Sequence, residues 1–377
     1  MNAPLGLYIH IPFCRQRCGF CSFYLEVYRK AAATNFLTAL RTEMEIYAKQ
    51  EGIVGRPLQS VYFGGGTPTA LDAPRLTGIV ADVHSLFELS DSCEVTVEAH
   101  PATVSKHDLD QLADAGVTRM SFGAESMRDS ELASVGRPGL TSDTVTAVLH
   151  ARDAGFTDIN LDVMYGLPGQ DLASWRHTVA RCLELAPTHL SCYALTVEEG
   201  TGLAHHIERR RRPAPDEGLQ VAMDEAAEAI LNASGYERYE ISNYAKPGYA
   251  CRHNLLHWTE GDYLGVGPSA QSFLNGVRFG NVANLTAYQA ALAEQRCPVE
   301  DRVTLTEQER LRDGVIFGLR LIRGISTHHL HHHVMNYGCA TTVEDLRKQQ
   351  LIEEDGTRVR LTAKGRRYAD HVWQRLY

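Results

Sequence analysis

LYIHIPFCRQRCGFC (residues 7–21) reads as a strand, LYIHI (7–11), running into a metal loop. Cys14, Cys18 and Cys21 stand at i, i+4 and i+7. A loop with that spacing can wrap three iron corners of a 4Fe–4S cubane and leave the fourth iron without a protein ligand. Sites that only move electrons usually take four cysteines, whereas an unfilled position is open to substrate, as in catalytic zinc sites. The competing assignment is a zinc knuckle, but zinc favours paired C-x2-C hairpins and the chain has no second pair. Its cysteines number nine, an odd count, which in a reducing compartment reads as metal ligation before disulfides.

Around this loop the first two-thirds of the chain alternates β-rich and helical runs, the pattern of βαβ units on a parallel sheet. Candidate strands are 7–11, 60–65, 94–99, 119–124, 158–166 and 189–195, with amphipathic stretches such as 35–50 and 108–116 between them. The second stretch ends on Gly116, a residue suited to a helix C-terminus. Six units predict an α/β fold, a partial (β/α)6 barrel. A doubly wound dinucleotide fold is disfavoured because GGGTP (64–68) follows the second strand without opening a helix as G-x-G-x-x-G. Gly64, Gly65 and Gly66, with Thr67, let a backbone approach a ligand closely and offer amides and carbonyls to its ammonium group.

The barrel unit is expected over 1–235. Inside it, HHIERRRRPAPDEG (205–218) breaks the periodicity. Arg209 to Arg212 read as a solvated linker rather than an anion or nucleic-acid contact, because the chain's formal charge is −9 and no aromatics interleave. A helix from Asp216 leads into 236–303, an aromatic and Gly-rich extension expected to close the site. Residues 304–377 predict a small α+β, winged-helix-like domain, with helices at 309–322 and 343–351. Over 358–373 a strand, a turn at Lys364–Gly365 and a helix are expected. Arg366 and Arg367 alone do not make a recognition helix, so a lid or docking module is expected, and no nucleic-acid partner. THHLHHHVMN (327–336) holds five histidines in six positions, with His328 and His332 on one helix face. The run from His328 to His333 reads as a polar helix start in preference to a metal site. No apolar run approaches the ~20 residues of a membrane span, and Met1 to Leu5 is too short for a signal peptide. A soluble, cytoplasmic protein is expected.

The cysteine loop, GGGTP and the strand-end motifs resemble the radical S-adenosylmethionine superfamily over nearly the whole chain. In that superfamily S-adenosylmethionine chelates the open iron through its amino and carboxylate groups, and one electron splits the sulfonium to a 5′-deoxyadenosyl radical. The resemblance extends to the branch containing oxygen-independent coproporphyrinogen oxidase and HemW. It implies that Tyr8 lies beside the cluster and that Phe20 is the branch's aromatic before the last cysteine. It also implies that Glu98 in VEAHP accepts from the ribose, and that Arg137 in GRPG and Asp162 in NLDVMYGLPGQ touch the nucleoside or methionine part. These positions fall at the C-terminal ends of strands, where parallel barrels build their sites. Plain packing is the alternative for Tyr8 and Phe20, and loop capping for Asp162.

Three positions depart from the branch. Glu125 in SFGAES replaces a glutamine and loses the amide's donor. Gly139 replaces the histidine of GR-x-H, and His257 replaces a tyrosine before Trp258. Coproporphyrinogen oxidases carry a further cysteine two residues after the third, where this chain has Phe23. YEISNYAKPG (239–248), CRHN (251–254) and DYLGVGPSAQSF (262–273) instead match the HemW-like group, in which His253 is a candidate haem ligand with Cys251 nearby. The alternative is that His253 and Asn254 anchor an irregular loop. The resemblance thus implies first a haem chaperone or transfer protein, meeting haem and membrane-bound haem acceptor proteins and reduced by a donor such as flavodoxin or ferredoxin. Its alternative is a radical methyltransferase or cyclopropane-forming enzyme that spends a second S-adenosylmethionine molecule on a small-molecule substrate. Coproporphyrinogen dehydrogenation ranks third.

Overall fold

The computed structural model describes residues 5–377. Strand β1 (Leu5–Ile11) precedes helix α1 (Lys30–Tyr47), β2 (Leu58–Gly65) precedes α2 (Ala73–Leu86), and β3 (Leu89–Ala99) precedes α3 (Lys106–Asp114). Then come β4 (Arg119–Glu125) and α4 (Thr141–Asp153), β5 (Asp158–Tyr165) and α5 (Leu172–Glu184), and β6 (His189–Ala194) and α6 (Glu217–Ala233). The six strands lie side by side in chain order and pair in parallel. This is the expected partial (β/α)6 barrel. Side-chain caps set the helix starts: Asp72, Ser105, Asp171 and Asp216 each accept from a backbone N–H in the first turn. Gly116 follows α3 at φ +96°, the left-handed geometry its identity suggests.

Parallel strands covered on both faces usually read as unbroken apolar runs. These alternate instead. Leu7, Val61, Val97, Phe122 and Leu161 join helix residues such as Phe36, Leu76 and Trp175 in one core. Their neighbours Tyr8, Tyr62, Glu98, Ser121 and Asp162 line a cavity inside the barrel. The polar inner face is the reason the barrel encloses a site instead of a second core.

The chain beyond α6 widens the sheet at both edges. Strand β7 (Asn243–Ala245) pairs antiparallel with β6. Helix α7 (Arg252–Trp258) follows, and β8 (Asp262–Val266) returns to pair in parallel with β1. Strands β9 (Gln271–Leu274), β10 (Val277–Asn281) and β11 (Val299–Thr304) continue antiparallel from β8. Glu43 of α1 clasps this edge: its fully buried carboxylate accepts from Gly267 N–H at 2.8 Å, Asn281 Nδ2 at 2.6 Å and Tyr288 O–H at 2.6 Å.

Burial raises the Glu43 pKa to about 7, outweighing those donors. A carboxyl whose folded pKa lies above its unfolded value contributes stability that is fully present below about 4.5 and lost as pH rises towards 7. The stability difference between Glu43→Gln and the parent is therefore expected to move in the variant's favour by on the order of 2 kcal/mol from pH 5 to pH 8. Urea titrations of both proteins at the two pH values check this, and an unchanged difference would refute it.

The C-terminal domain has its own core of Val315, Leu330, Leu346, Leu361 and Val372. Helices α8 (Glu307–Gly318), α9 (Thr327–Tyr337), α10 (Ala340–Lys348) and α11 (Ala369–Leu376) pack with a small sheet in which 358–361 pairs with both 325–326 and 352–354. Lys364–Gly365 is not the expected turn. Thr362 Oγ1 caps Gly365 N–H at 2.9 Å and starts a short helix, Ala363–Arg367. Ser326 caps α9 through His329 N–H at 3.1 Å, so the histidine run does begin a helix. Arg366 is held bidentate by Glu228 of α6 at 2.9 and 2.8 Å, and Arg367 by Glu225. Arg320 reaches fully buried Glu240 at 3.1 Å and lies 4.2 Å from the centre of the Trp258 ring. The domain is thus tied to α6 and to α7.

Candidate cluster and cofactor site

The cavity holds about 600 Å³ and opens at the C-terminal ends of β1 to β6. Cys14, Cys18 and Cys21 all line its mouth. The cysteine loop is fixed on two sides. Gly66 N–H donates to Ile11 O at 2.9 Å and Thr67 N–H to Phe13 O at 2.7 Å, which binds GGGTP to the strand end before Cys14. Gly19 N–H donates to Val135 O at 2.9 Å, and Leu203 N–H to Gly19 O at 2.7 Å. Phe20 packs beside Val135, Met164 and Leu203, so it serves packing while also lining the cavity.

The donor set suits a cluster. Among the described residues no three His, Cys, Asp or Glu side chains converge on a single-ion position, whereas a cubane needs its thiolates at separate corners. Thr67 Oγ1 lies 3.3 Å from Cys14 Sγ and Arg137 Nη1 3.5 Å from Cys18 Sγ, donors that favour thiolate sulfur. Burial nonetheless holds both free thiols above the ordinary cysteine range, so metal entry displaces their protons.

The glycines of GGGTP are forced by near neighbours. A Cβ on Gly64 would sit 3.1 Å from Glu98 Oε2 and from the Tyr8 ring. Gly65 has φ +105°, and its Cβ would meet the His10 ring at 2.7 Å. Gly66 would meet Phe13 O at 2.7 Å. Glu98 accepts from Tyr62 O–H at 2.7 Å, and burial lifts its pKa to about 7. Asp162 accepts from Ser121 at 3.1 Å and Asn160 at 2.9 Å. Tyr8 stacks on Tyr62 and His253, with centroids 6.2 and 6.1 Å away. Burial, then nearby Glu98, raises its phenol pKa.

Glu125 has φ +60° and ends β4 inside the cavity. It lies 3.5 Å from Arg137 Nη2, which also donates to Gly123 O. Burial outweighs the guanidinium and raises the Glu125 pKa to about 7. Glu125→Gln is expected to keep S-adenosylmethionine affinity within about threefold, since an amide still accepts from Arg137, and to remove any part of its pH dependence centred near 7. Equilibrium dialysis from pH 6 to 8 reads both; a variant that no longer binds would show that the charge is required. Gly139 lies at φ +90°, and its Cβ would stand 3.3 Å from His100, whose ring borders the cavity.

Helix α7 closes the opposite end of the barrel. Glu94 of β3 accepts from Cys251 Sγ at 3.3 Å, Arg252 N–H at 3.0 Å and His253 N–H at 3.2 Å, starting a helix where an irregular loop was expected. His253 is 2% exposed. Its Nδ1 is 2.9 Å from Ser60 Oγ, and Nε2 is buried without a hydrogen-bond partner. Burial keeps the ring neutral. His257 lies 5.3 Å from it, also on the cavity wall, with a pKa lowered to about 4 by burial. Trp258 turns away, to Arg320 and Phe317.

The structure thus gathers Tyr8, Phe20, Gly65, Gly66, Thr67, Glu98, Glu125, Arg137, Asp162 and His253 around one cavity with the three cysteines, and Gly64 abuts Glu98 and Tyr8. Tyr62, His100, Arg119, Asn160 and Tyr193 line it too and were not singled out from the sequence. For Asn160 the signal was strand alternation, since it falls two residues before Asp162 on the same strand.

The family profile for the Radical SAM superfamily matches residues 8–182, and that for the HemN C-terminal domain matches 305–368. The chain is 33% identical to a haem chaperone HemW of Bacillus subtilis over 97% of each chain. It is also 33% identical to one of Mycobacterium tuberculosis over 99% of this chain and 95% of that one. Among solved structures it resembles coproporphyrinogen III oxidase (HemN) from Escherichia coli, a radical SAM enzyme, with TM-score 0.87 and 26% identity, covering 100% of this chain and 90% of that one. No helix among the described residues is long and apolar enough to cross a membrane. A cavity-lining cysteine triad, a parallel six-unit barrel and full-length likeness place this chain in the radical SAM superfamily, in its HemW-like branch.

Proposed function

We propose that this chain handles haem as the chaperones it matches do, with a 4Fe–4S cluster on Cys14, Cys18 and Cys21 and S-adenosylmethionine beside it. The observation that carries this reading is that the likeness to haem chaperones runs through α7 and the C-terminal domain, while Phe23, 68% exposed at the mouth, stands where the porphyrinogen oxidases have their extra cysteine. The cluster, when bound, supplies one electron to the sulfonium. Gly64, Gly65, Gly66 and Thr67 present backbone groups to the methionine end, Glu98 and Asp162 accept hydroxyls, and Arg137 and Glu125 orient the remainder. Tyr8 and Phe20 keep water from the sulfur side. Residues 236–303 close the barrel and 304–377 brace that closure.

His253 is the residue that would hold the haem iron. Its neutral ring, tethered through Nδ1, leaves Nε2 free, as haem iron requires. Because that atom is buried, haem binding needs α7 to move. Anaerobic reconstitution, haem titration and a 5′-deoxyadenosine assay test the reading: stoichiometric haem with little nucleoside release supports it. His253→Ala is expected to remove or shift the Soret band and leave the cluster spectrum unchanged; parent-like haem binding would exclude His253. A second reading, radical alkylation of a small molecule with a second S-adenosylmethionine, draws on Glu125 and His257 facing the cavity. Substrate-coupled nucleoside release by a parent that binds no haem would favour it.

A further inference from the structure

Arg209 to Arg212 follow a helix, Gly202–Glu208, whose first turn touches the cysteine loop. Leu203 N–H bonds Gly19 O, and Ile207 packs in the same apolar group as Phe20. Seven residues of helix span about 10 Å, so the four arginines leave the helix beside the mouth instead of trailing into a remote linker. All four are exposed. Arg15 and Arg17, also exposed, lie on the cysteine loop itself.

Arg15 and Arg209 to Arg212 make no ion pair or side-chain hydrogen bond among the described residues, and Arg17 reaches only the carbonyl of Phe23, at 3.4 Å. The acids of the adjoining chain are Glu198 and Glu199 before that helix, Glu208 at its end and 3.4 Å from His205, Asp216 and Glu217 after the arginines, and Glu26 between Phe23 and Val27. Four consecutive exposed arginines without a side-chain partner among the described residues concentrate positive charge at one place on a chain of net charge −9. Beside it Phe23 and Val27 are 68% and 56% exposed, giving an apolar centre next to a charged rim. Small transient interfaces have that anatomy, and complementary charge sets their encounter rate.

We propose that the face made by Arg209 to Arg212, Arg15, Arg17 and Phe23 docks the acidic one-electron redox protein, of the flavodoxin or ferredoxin class, that reduces the cluster. The proposal rests on the reading of Cys14, Cys18 and Cys21 as cluster ligands. One electron leaves the donor's reduced cofactor, which is oxidised by one, and enters the cluster, with no bond made or broken. Tunnelling falls steeply with distance, so the donor must seat against the loop that carries the thiolates. The face is placed to hold it there.

The test compares the full-length, cluster-loaded parent with a variant carrying Arg209→Ser, Arg210→Ser, Arg211→Ser and Arg212→Ser, all solvent-exposed changes. Calorimetric titration with an acidic flavodoxin at about 25 and 250 mM salt is expected to show parent binding that weakens roughly tenfold or more with salt. The variant should bind about tenfold more weakly at low salt with a flattened salt dependence. In stopped flow its cluster should be reduced more slowly by subsaturating flavodoxin but at the parent rate by dithionite. Equal flavodoxin affinity and salt dependence in the two proteins overturns the proposal. So does a variant that loses only sedimentation with phosphatidylglycerol vesicles, which would assign the arginines to an anionic lipid surface. A parent that assembles no cluster overturns the cluster reading instead, and flavodoxin affinity remains readable on that cluster-free chain.

Discussion

Cys18→Ala is expected to abolish cluster assembly: anaerobically reconstituted variant should lack the broad visible absorbance of an iron–sulfur centre and bind no stoichiometric iron. Two thiolates cannot occupy three corners of a cubane, and Glu125, the carboxylate whose charge reaches Cys18, is already engaged by Arg137 at 3.5 Å. Arg137, 3.5 Å from Cys18 Sγ in the parent, would also face a vacated corner. Cys339→Ala is the matched control, since that thiol belongs to the C-terminal core's margin. Parental iron content in the Cys18 variant would refute the ligand assignment.

Gly66→Ala is expected to destabilise the fold and the cysteine loop together. The new Cβ would lie 2.7 Å from Phe13 O and 3.1 Å from Ile11 O, backbone atoms that cannot swing aside. Those carbonyls are the acceptors of Gly66 and Thr67 N–H, so relieving the clash breaks the contact that seats the cysteine loop. A cost of about 2–4 kcal/mol is expected, in the range of overpacking and lost buried hydrogen bonds, together with poor iron uptake. Chemical denaturation and iron analysis measure both. Parental stability with parental iron would show that the loop can be seated in another way. Gly65 is constrained differently, by its φ of +105° and by the His10 ring.

The barrel was legible because each strand carries its own label. β-rich runs such as SVYFGG and RMSFGA sit between amphipathic stretches, and all six predicted strands lie within a few residues of those observed. The cysteine loop was legible for a similar reason, since ligand spacing along one loop is a property of linear sequence. Contacts between distant segments were not. Nothing local in CRHN shows that Glu94 caps its helix or that Ser60 tethers His253, because those partners arrive across the sheet. Arg209 to Arg212 read as a linker because only the pairing of Leu203 with Gly19 reveals what they stand beside. Polar residues within strands, such as Tyr62 and Asn160, were visible, but their meaning depends on the sheet curling so that one face has no helices over it.

β1 lies between β2 and β8, the first pairing made within residues 5–65 and the second only with residues 262–266. A ribosome moving at about 5–20 residues per second therefore takes on the order of ten to forty seconds, after β2 emerges, to deliver the other neighbour. Throughout that interval the nascent barrel has one unprotected edge and no floor, because α7 comes off the ribosome just before β8. The cysteines, by contrast, are made before β2. Cluster delivery to a chain still being synthesised would meet an open scaffold, whereas delivery after release would meet a closed one.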